Sequence, residues 1–181
     1  MEIAYVTAGS GPPVLQLHGY PQTKALWAKV APRLAENFTV VAAELRGYGA
    51  SAKPACAADL STYSFRSMAQ DQVTLMQTLG HVTFHIIGHD RGGRTAHRMA
   101  LDHHDSLRSL TVMDIIPTID LFDLTDKTLA MTYWHWFFLA QPAPFPQTLI
   151  NANPDLFFET CLLGWGKAKL EDFHPEQLAD Y

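Results

Sequence analysis

Ile86-Ile87-Gly88-His89-Asp90-Arg91-Gly92-Gly93-Arg94 is the stretch whose reading decides the fold. The apolar run before it, Val82 to Gly88, reads as a buried strand, and Gly92 to His103 reads as a helix. Between them stands a G-x-D-x-G frame. Glycines on both sides permit a sharp turn that thrusts the central side chain, Asp90, above the end of the strand. The helix start behind it favours negative charge, and its backbone N–H groups can hold an oxyanion.

The pattern repeats outward from this turn. Glu2 to Thr7, Val14 to Leu17, Phe38 to Ala43 and Leu107 to Asp114 also read as strands. Lys24 to Ala35 reads as a helix, with Leu26, Trp27, Val30 and Leu34 on one face. Ala50 to Tyr63 reads as a loop. Ser64 to Leu79 reads as a second helix, N-capped by Ser64 and closed by Gly80. Near-continuous apolar strands alternating with helices predict an α/β fold built on a parallel sheet covered on both faces. Ligands of such sheets bind beyond the carboxyl ends of the strands, where His18, Arg46, Asp90 and Asp114 fall.

After Asp114 the alternation stops. The segment from Ile115 to Tyr181 is rich in Trp, Phe, Leu and Pro. Thr128 to Ala140 reads as a helix crowded with Tyr133, Trp134, Trp136, Phe137 and Phe138. Pro142, Pro144 and Pro146 end it, and Pro154 to Gly164 reads as a further helix. The expected division is a core over residues 1–116 and a helical cap over 117–181.

Composition narrows the partners. The 181 residues are 48% hydrophobic and 17% charged, with a formal net charge of −5 and no basic stripe, which argues against nucleic acid. Two distant cysteines, Cys56 and Cys161, give no disulfide framework and no metal site. The N-terminus lacks signal-peptide character, and no apolar run is long enough to span a membrane. The expectation is a cytoplasmic enzyme without cofactor or metal.

An aspartate at the apex selects the chemistry. A carboxylate attacking a saturated carbon forms an ester, which water can cleave at the aspartyl carbonyl. A serine would form an ether, which could not be hydrolysed. The Asp90 turn therefore points to displacement at a saturated carbon, as in dehalogenation or epoxide opening.

His18-Gly19-Tyr20-Pro21-Gln22-Thr23, Leu45-Arg46-Gly47-Tyr48-Gly49-Ala50-Ser51, Gly88 to Arg94 and Tyr133 to Pro142 occur in this order. Together they resemble the haloacetate (fluoroacetate) dehalogenases of the α/β-hydrolase superfamily, from Gly9 to about Trp165. The first two motifs are widespread in that superfamily and the last two are more specific. Arg91 stands where epoxide hydrolases and haloalkane dehalogenases carry Trp.

The resemblance implies that Asp90 is the nucleophile and that Arg91 and Arg94 hold the carboxylate of a small anionic haloacid, a role that suits planar guanidinium forks. It implies that His135 and Trp136 bind the halide, and that Asp114 orients a catalytic histidine. A buried carboxylate is expected at Asp114. The backbone N–H groups of Tyr20 and Arg91 are expected to form the oxyanion hole. A homodimer is the oligomer implied. His18 reads as structural, Trp134 as packing, and Glu44, where the family commonly has Asp, carries no assigned role.

The ester-cleaving base is not assigned. In the resembling family it is a histidine on a loop after the last strand, and no histidine here follows a late core strand. His89 is expected to point away from the site. The last two core strands and their helices are expected to be missing, so the chain reads as a fragment with an open apolar strand edge that is prone to aggregation. Two alternatives remain. One is an Asp-nucleophile epoxide hydrolase, with Tyr133 as the proton donor. The other is a non-catalytic remnant that binds carboxylates or a partner.

Overall fold

Five strands form one sheet in the order β1-β3-β2-β4-β5: β1 Tyr5–Ala8, β2 Pro13–Leu17, β3 Thr39–Ala43, β4 Phe84–His89 and β5 Leu107–Met113. The computed structural model describes residues 1–164 and 168–181, so Trp165, where the family resemblance ends, lies outside the described residues. Strands β2, β3, β4 and β5 pair in parallel. β1 runs antiparallel to β3, with Tyr5 opposite Ala43, which corrects the all-parallel expectation. Only a short turn segment separates β1 from β2, too short for the crossover that two parallel strands of one sheet need, so β1 runs opposite to β2 and hence to β3.

Helices α2 (Phe65–Thr78) and α3 (Arg91–Asp102) supply the main core. Ser64 caps α2 by accepting a hydrogen bond from Ser67 N, and Gly80 follows at φ 85°, a left-handed value that suits glycine. Met68, Ala69, Gln72, Val73 and Met76 form the buried face of α2. Met68, Ala69, Val73 and Met76 meet Leu15 and Leu17 of β2, Val41 of β3, Phe84 and Ile86 of β4, and Ala96 and Met99 of α3. Each of the larger side chains among them contributes about 1.5–3 kcal/mol by leaving water. No helix of the described residues is long and apolar enough to cross a membrane.

The stretch from Lys24 to Ala35 is not one helix. It holds a 3-10 turn, Lys24–Trp27, and a four-residue helix, α1 Ala31–Leu34. Pro32 sits in the first turn of α1, the one place in a helix where its missing N–H is harmless, so it starts a new helix. Trp27 is buried as expected, but Val30 is exposed. The open strand edge expected from the sequence is β5, and Arg108 to Met113 are exposed along it.

Contacts divide the chain into two units, Met1–Ile115 together with Ala179–Tyr181, and Ile116–Leu178. The second unit contains α4 Thr118–Asp123, α5 Lys127–Thr132, α6 Trp134–Leu139, α7 Phe145–Ala152 and α8 Pro154–Leu163. The single helix expected over Thr128 to Ala140 is broken at Tyr133, whose backbone (φ −95°, ψ 34°) leaves the helical region. Within this unit Trp134 packs edge-on against Phe157, and Phe138 meets both Phe145 and Phe157. The last helix, α9 Pro175–Asp180, runs to the C-terminus, and Thr23 donates a hydrogen bond to Asp180 at 2.6 Å.

Candidate active site

Asp90 lies between β4 and α3 with φ 48° and ψ −116°, a strained conformation for a residue with a side chain. The frame around it is closed by backbone. A Cβ on Gly88 or Gly92 would strike main-chain atoms of Gly92 and Gly93 or of Leu17 and His18. A Cβ on Gly19 would fall 2.5 Å from Asp90 Cβ and 2.9 Å from Asp90 Oδ1. Glycine at these positions lets the β2 turn press against the elbow.

That close approach has a chemical result. The backbone N–H of Tyr20 donates to Asp90 Oδ1 at 2.8 Å. The Tyr20–Pro21 peptide bond is cis, and Gln22 N donates to Gly19 O across the turn at 3.0 Å. His18 anchors the turn from below. It is fully buried, its Nδ1 lies 2.9 Å from Gly19 O, and its Nε2 accepts from Leu45 N at 3.2 Å. An Nε2 that accepts leaves the proton on Nδ1, so the ring is neutral and donates to Gly19 O. Burial lowers its pKa to about 4, against the opposing effects of the Gly19 carbonyl, Glu44 and Asp90.

The loop after β3 is tied down by two ion pairs. Glu44, 1% exposed, pairs with Lys24 at 2.7 Å and accepts from the backbone of Ala50 and Ser51. Arg46 grips Asp71 of α2 with two hydrogen bonds, 2.6 and 2.7 Å, and also donates to the carbonyls of Thr62 and Ser67. Tyr48 packs edge-on against His18, ring centroids 5.0 Å apart. Burial raises its phenol pKa. The charge of Arg91 opposes that rise and the charge of Asp90 adds to it, so Tyr48 lies within the field of both.

Arg91 and Arg94 occupy the first turn of α3. Arg91 Cζ stands 5.1 Å from the centre of the Phe65 ring, and its Nε is buried without a hydrogen-bond partner. Arg94 is 6% exposed, and its backbone N–H closes the turn on Asp90 O at 3.0 Å.

Two expectations need correction. Asp114 follows β5 at φ 56°, but its side chain is 73% exposed, not buried, because β5 is an edge strand and little packs around its end. His89 does not point away. Its Nε2 faces Asp114 Oδ2 at 3.9 Å, and its buried Nδ1 would lie 3.0 Å from a Cβ on Gly19. Strand alternation turns His89 from the face of Gly88, but the sharp elbow leaves its ring between the β2 turn and Asp114.

His135 and Trp136 lie in α6 of the second unit. There Trp136 meets Tyr133 and Phe122 at 5.6 and 6.1 Å, and His135 meets Tyr133 and Trp134 at 6.2 and 5.8 Å. Sequence reasoning missed Phe65 and Tyr48 as neighbours of Arg91. Their contacts join residues 26 and more positions apart, and no local pattern carries them.

Comparisons with known proteins agree with the fold. The model of the α/β-hydrolase fold family matches residues 12–177, and the chain belongs to that family. It is 58% identical over 176 residues to a fluoroacetate dehalogenase from Burkholderia sp., covering 97% of this chain and 58% of that protein. It is 38% identical over 159 residues to a soluble epoxide hydrolase from Corynebacterium sp. strain C12, covering 87% of this chain and 54% of that protein. The crystal structure of ALR0039 from Nostoc sp. PCC 7120 superposes with a TM-score of 0.95 at 52% identity, covering 99% of this chain and 61% of that one. The chain thus spans a little over half the length of the curated relatives it matches.

Proposed function

We propose that this chain belongs to a hydrolytic haloacetate dehalogenase in which Asp90 displaces halide and forms an ester. The observation that carries the reading is Asp90 at the elbow apex, with one oxygen held by Tyr20 N–H and two arginines in the helical turn behind it. With Oδ1 engaged by that N–H, Oδ2 is the attacking oxygen. Oδ2 bonds to the carbon bearing the halogen, and the halide leaves with the bonding electrons. Arg91 and Arg94 pair with the substrate carboxylate and offset the repulsion between two anions. Water then adds to the aspartyl carbonyl, and Tyr20 N–H stabilises the charge that develops on Oδ1. Collapse releases the hydroxy acid and restores the carboxylate. His135 and Trp136 are the proposed halide donors, and Asp114 the proposed partner of the imidazole that activates water.

The identity to the Burkholderia enzyme supports the carbon–halogen reading. The identity to the Corynebacterium epoxide hydrolase keeps a second reading open, since the same nucleophile opens epoxides. Incubation with fluoroacetate or styrene oxide, followed by mass spectrometry of the Asp90 peptide, separates the two. The expected result is halide release with one carboxymethyl ester on Asp90, absent in Asp90→Asn. An adduct from styrene oxide and none from fluoroacetate would overturn the dehalogenase reading.

A further inference from the structure

Among the residues around the elbow, Phe65 has no role in the chemistry above, yet side-chain hydrogen bonds tie down the chain on both sides of it. It is the first residue of α2, held by the Ser64 cap on Ser67 N. The Arg46 guanidinium grips the chain on both sides of it, through Thr62 O before and through Ser67 O and Asp71 after. Ser67 Oγ also donates to Ser61 O at 2.8 Å, which closes the turn that leads into the helix. The ring thus presented lies 5.1 Å from Arg91 Cζ.

A guanidinium over an aromatic face is attracted by the ring quadrupole while its in-plane N–H groups stay available. The in-plane Nε of Arg91 is buried and donates to no protein group. An arginine has several rotatable bonds, and a carboxylate binds it best when one edge is already presented.

We infer that Phe65 is a positioning residue that holds Arg91 so that its guanidinium meets the carboxylate of a small carboxylic-acid substrate. The inference rests on the proposed role of Arg91. It adds a chain of support running from Arg46 through the start of α2 and Phe65 to Arg91. Phe65 does not touch the substrate in this account. It sets affinity by reducing the ordering that binding demands.

The test is a fluorine NMR titration of fluoroacetate in an Asp90→Asn background, which cannot form the ester, with the protein otherwise wild type or carrying Phe65→Tyr, Phe65→Leu, Arg91→Gln or Phe65→Leu/Arg91→Gln. The Arg91 Nε–H resonance is followed alongside. Phe65→Tyr keeps a cation-binding ring and is expected to bind as the otherwise wild-type protein does. Phe65→Leu is expected to bind about tenfold more weakly, and to lose the ring-current shift on Arg91 Nε–H. In the Arg91→Gln background the Leu substitution is expected to have no further effect. Equal binding by the otherwise wild-type protein and Phe65→Leu overturns the inference while leaving the role of Arg91 intact, as does an undiminished Leu effect without Arg91. Otherwise wild-type protein that shows the Arg91 shift but binds no fluoroacetate overturns the carboxylate role itself. Should Phe65→Leu fail to fold, Phe65→Met carries the same expectations.

Discussion

Asp90 and Asp114 end neighbouring parallel strands, and both hold left-handed φ angles, 48° and 56°. Their surroundings differ completely. Strand β4 has β2 on one side and β5 on the other, so the Gly19–Tyr20 turn reaches Asp90 and donates to its oxygen. Among the described residues β5 has β4 alone beside it, and Asp114 stands 73% exposed with a 3.9 Å approach from His89. Two aspartates that share a positive φ thus acquire different electrostatics from the strands beside them. Asp90 is held from both sides: the turn after β2 donates to its side chain, and its own N–H donates to Met113 O of β5.

The comparison can be broken most sharply by exchanging the two carboxylates for amides. Asp90→Asn is expected to reduce halide release and ester formation by about a thousandfold or more, read by ion chromatography and peptide mass spectrometry. Asp114→Asn is expected to leave the ester-forming step at the wild-type rate, since that step needs no imidazole. A matching loss in both variants would mean that the two positions act as one unit.

The next effect concerns the support beneath Asp90. His18 is neutral in the folded protein, with its pKa lowered to about 4, whereas in the unfolded chain it titrates near 6.5. The unfolded state therefore binds the extra proton between these values. The stabilisation is complete above about pH 6.5 and is lost as pH falls towards 4, a change on the order of 3 kcal/mol. Denaturant melts at pH 7 and pH 4 should show this loss in the wild type and a smaller one in His18→Gln. Parallel behaviour of the two proteins would remove His18 as the titrating group.

Gly19→Ala tests the close approach itself. The added methyl would meet Asp90 Cβ at 2.5 Å, and the expected cost is about 1–3 kcal/mol in a chemical melt, with loss of the Tyr20 hydrogen bond. The smallest effect belongs to the exposed partner. Asp114→Gly relieves a left-handed φ without disturbing packed neighbours, and is expected to change stability by no more than about 1 kcal/mol. A larger change would show that Asp114 is more tightly held than its exposure indicates.

The elbow was legible in the sequence because its requirements are local. A glycine before and a glycine after a polar apex, between an apolar run and a helical stretch, leave few other conformations. The Ser64 cap and the Gly80 stop were legible for the same reason. Lys24 to Ala35 misled because apolar spacing suggests a helix, whereas Pro32 resets the chain within that spacing. The break at Tyr133 has no such marker and was hidden among aromatics with ordinary helical character. Phe65, Tyr48 and His89 were invisible as site neighbours because each meets the elbow only through the packing of distant segments. The burial expected at Asp114 came from the family resemblance, whereas the open edge of β5 leaves its side chain exposed.

The hydrogen bond from Tyr20 makes the two oxygens of Asp90 unequal before any substrate arrives. A free carboxylate rotates and its oxygens exchange places; here rotation would break that bond. Under the proposed chemistry, Oδ1 stays with the protein from one cycle to the next. The outer oxygen leaves in each product and is replaced from water. One atom of the nucleophile is a resident, and the other is a passenger renewed at every turnover.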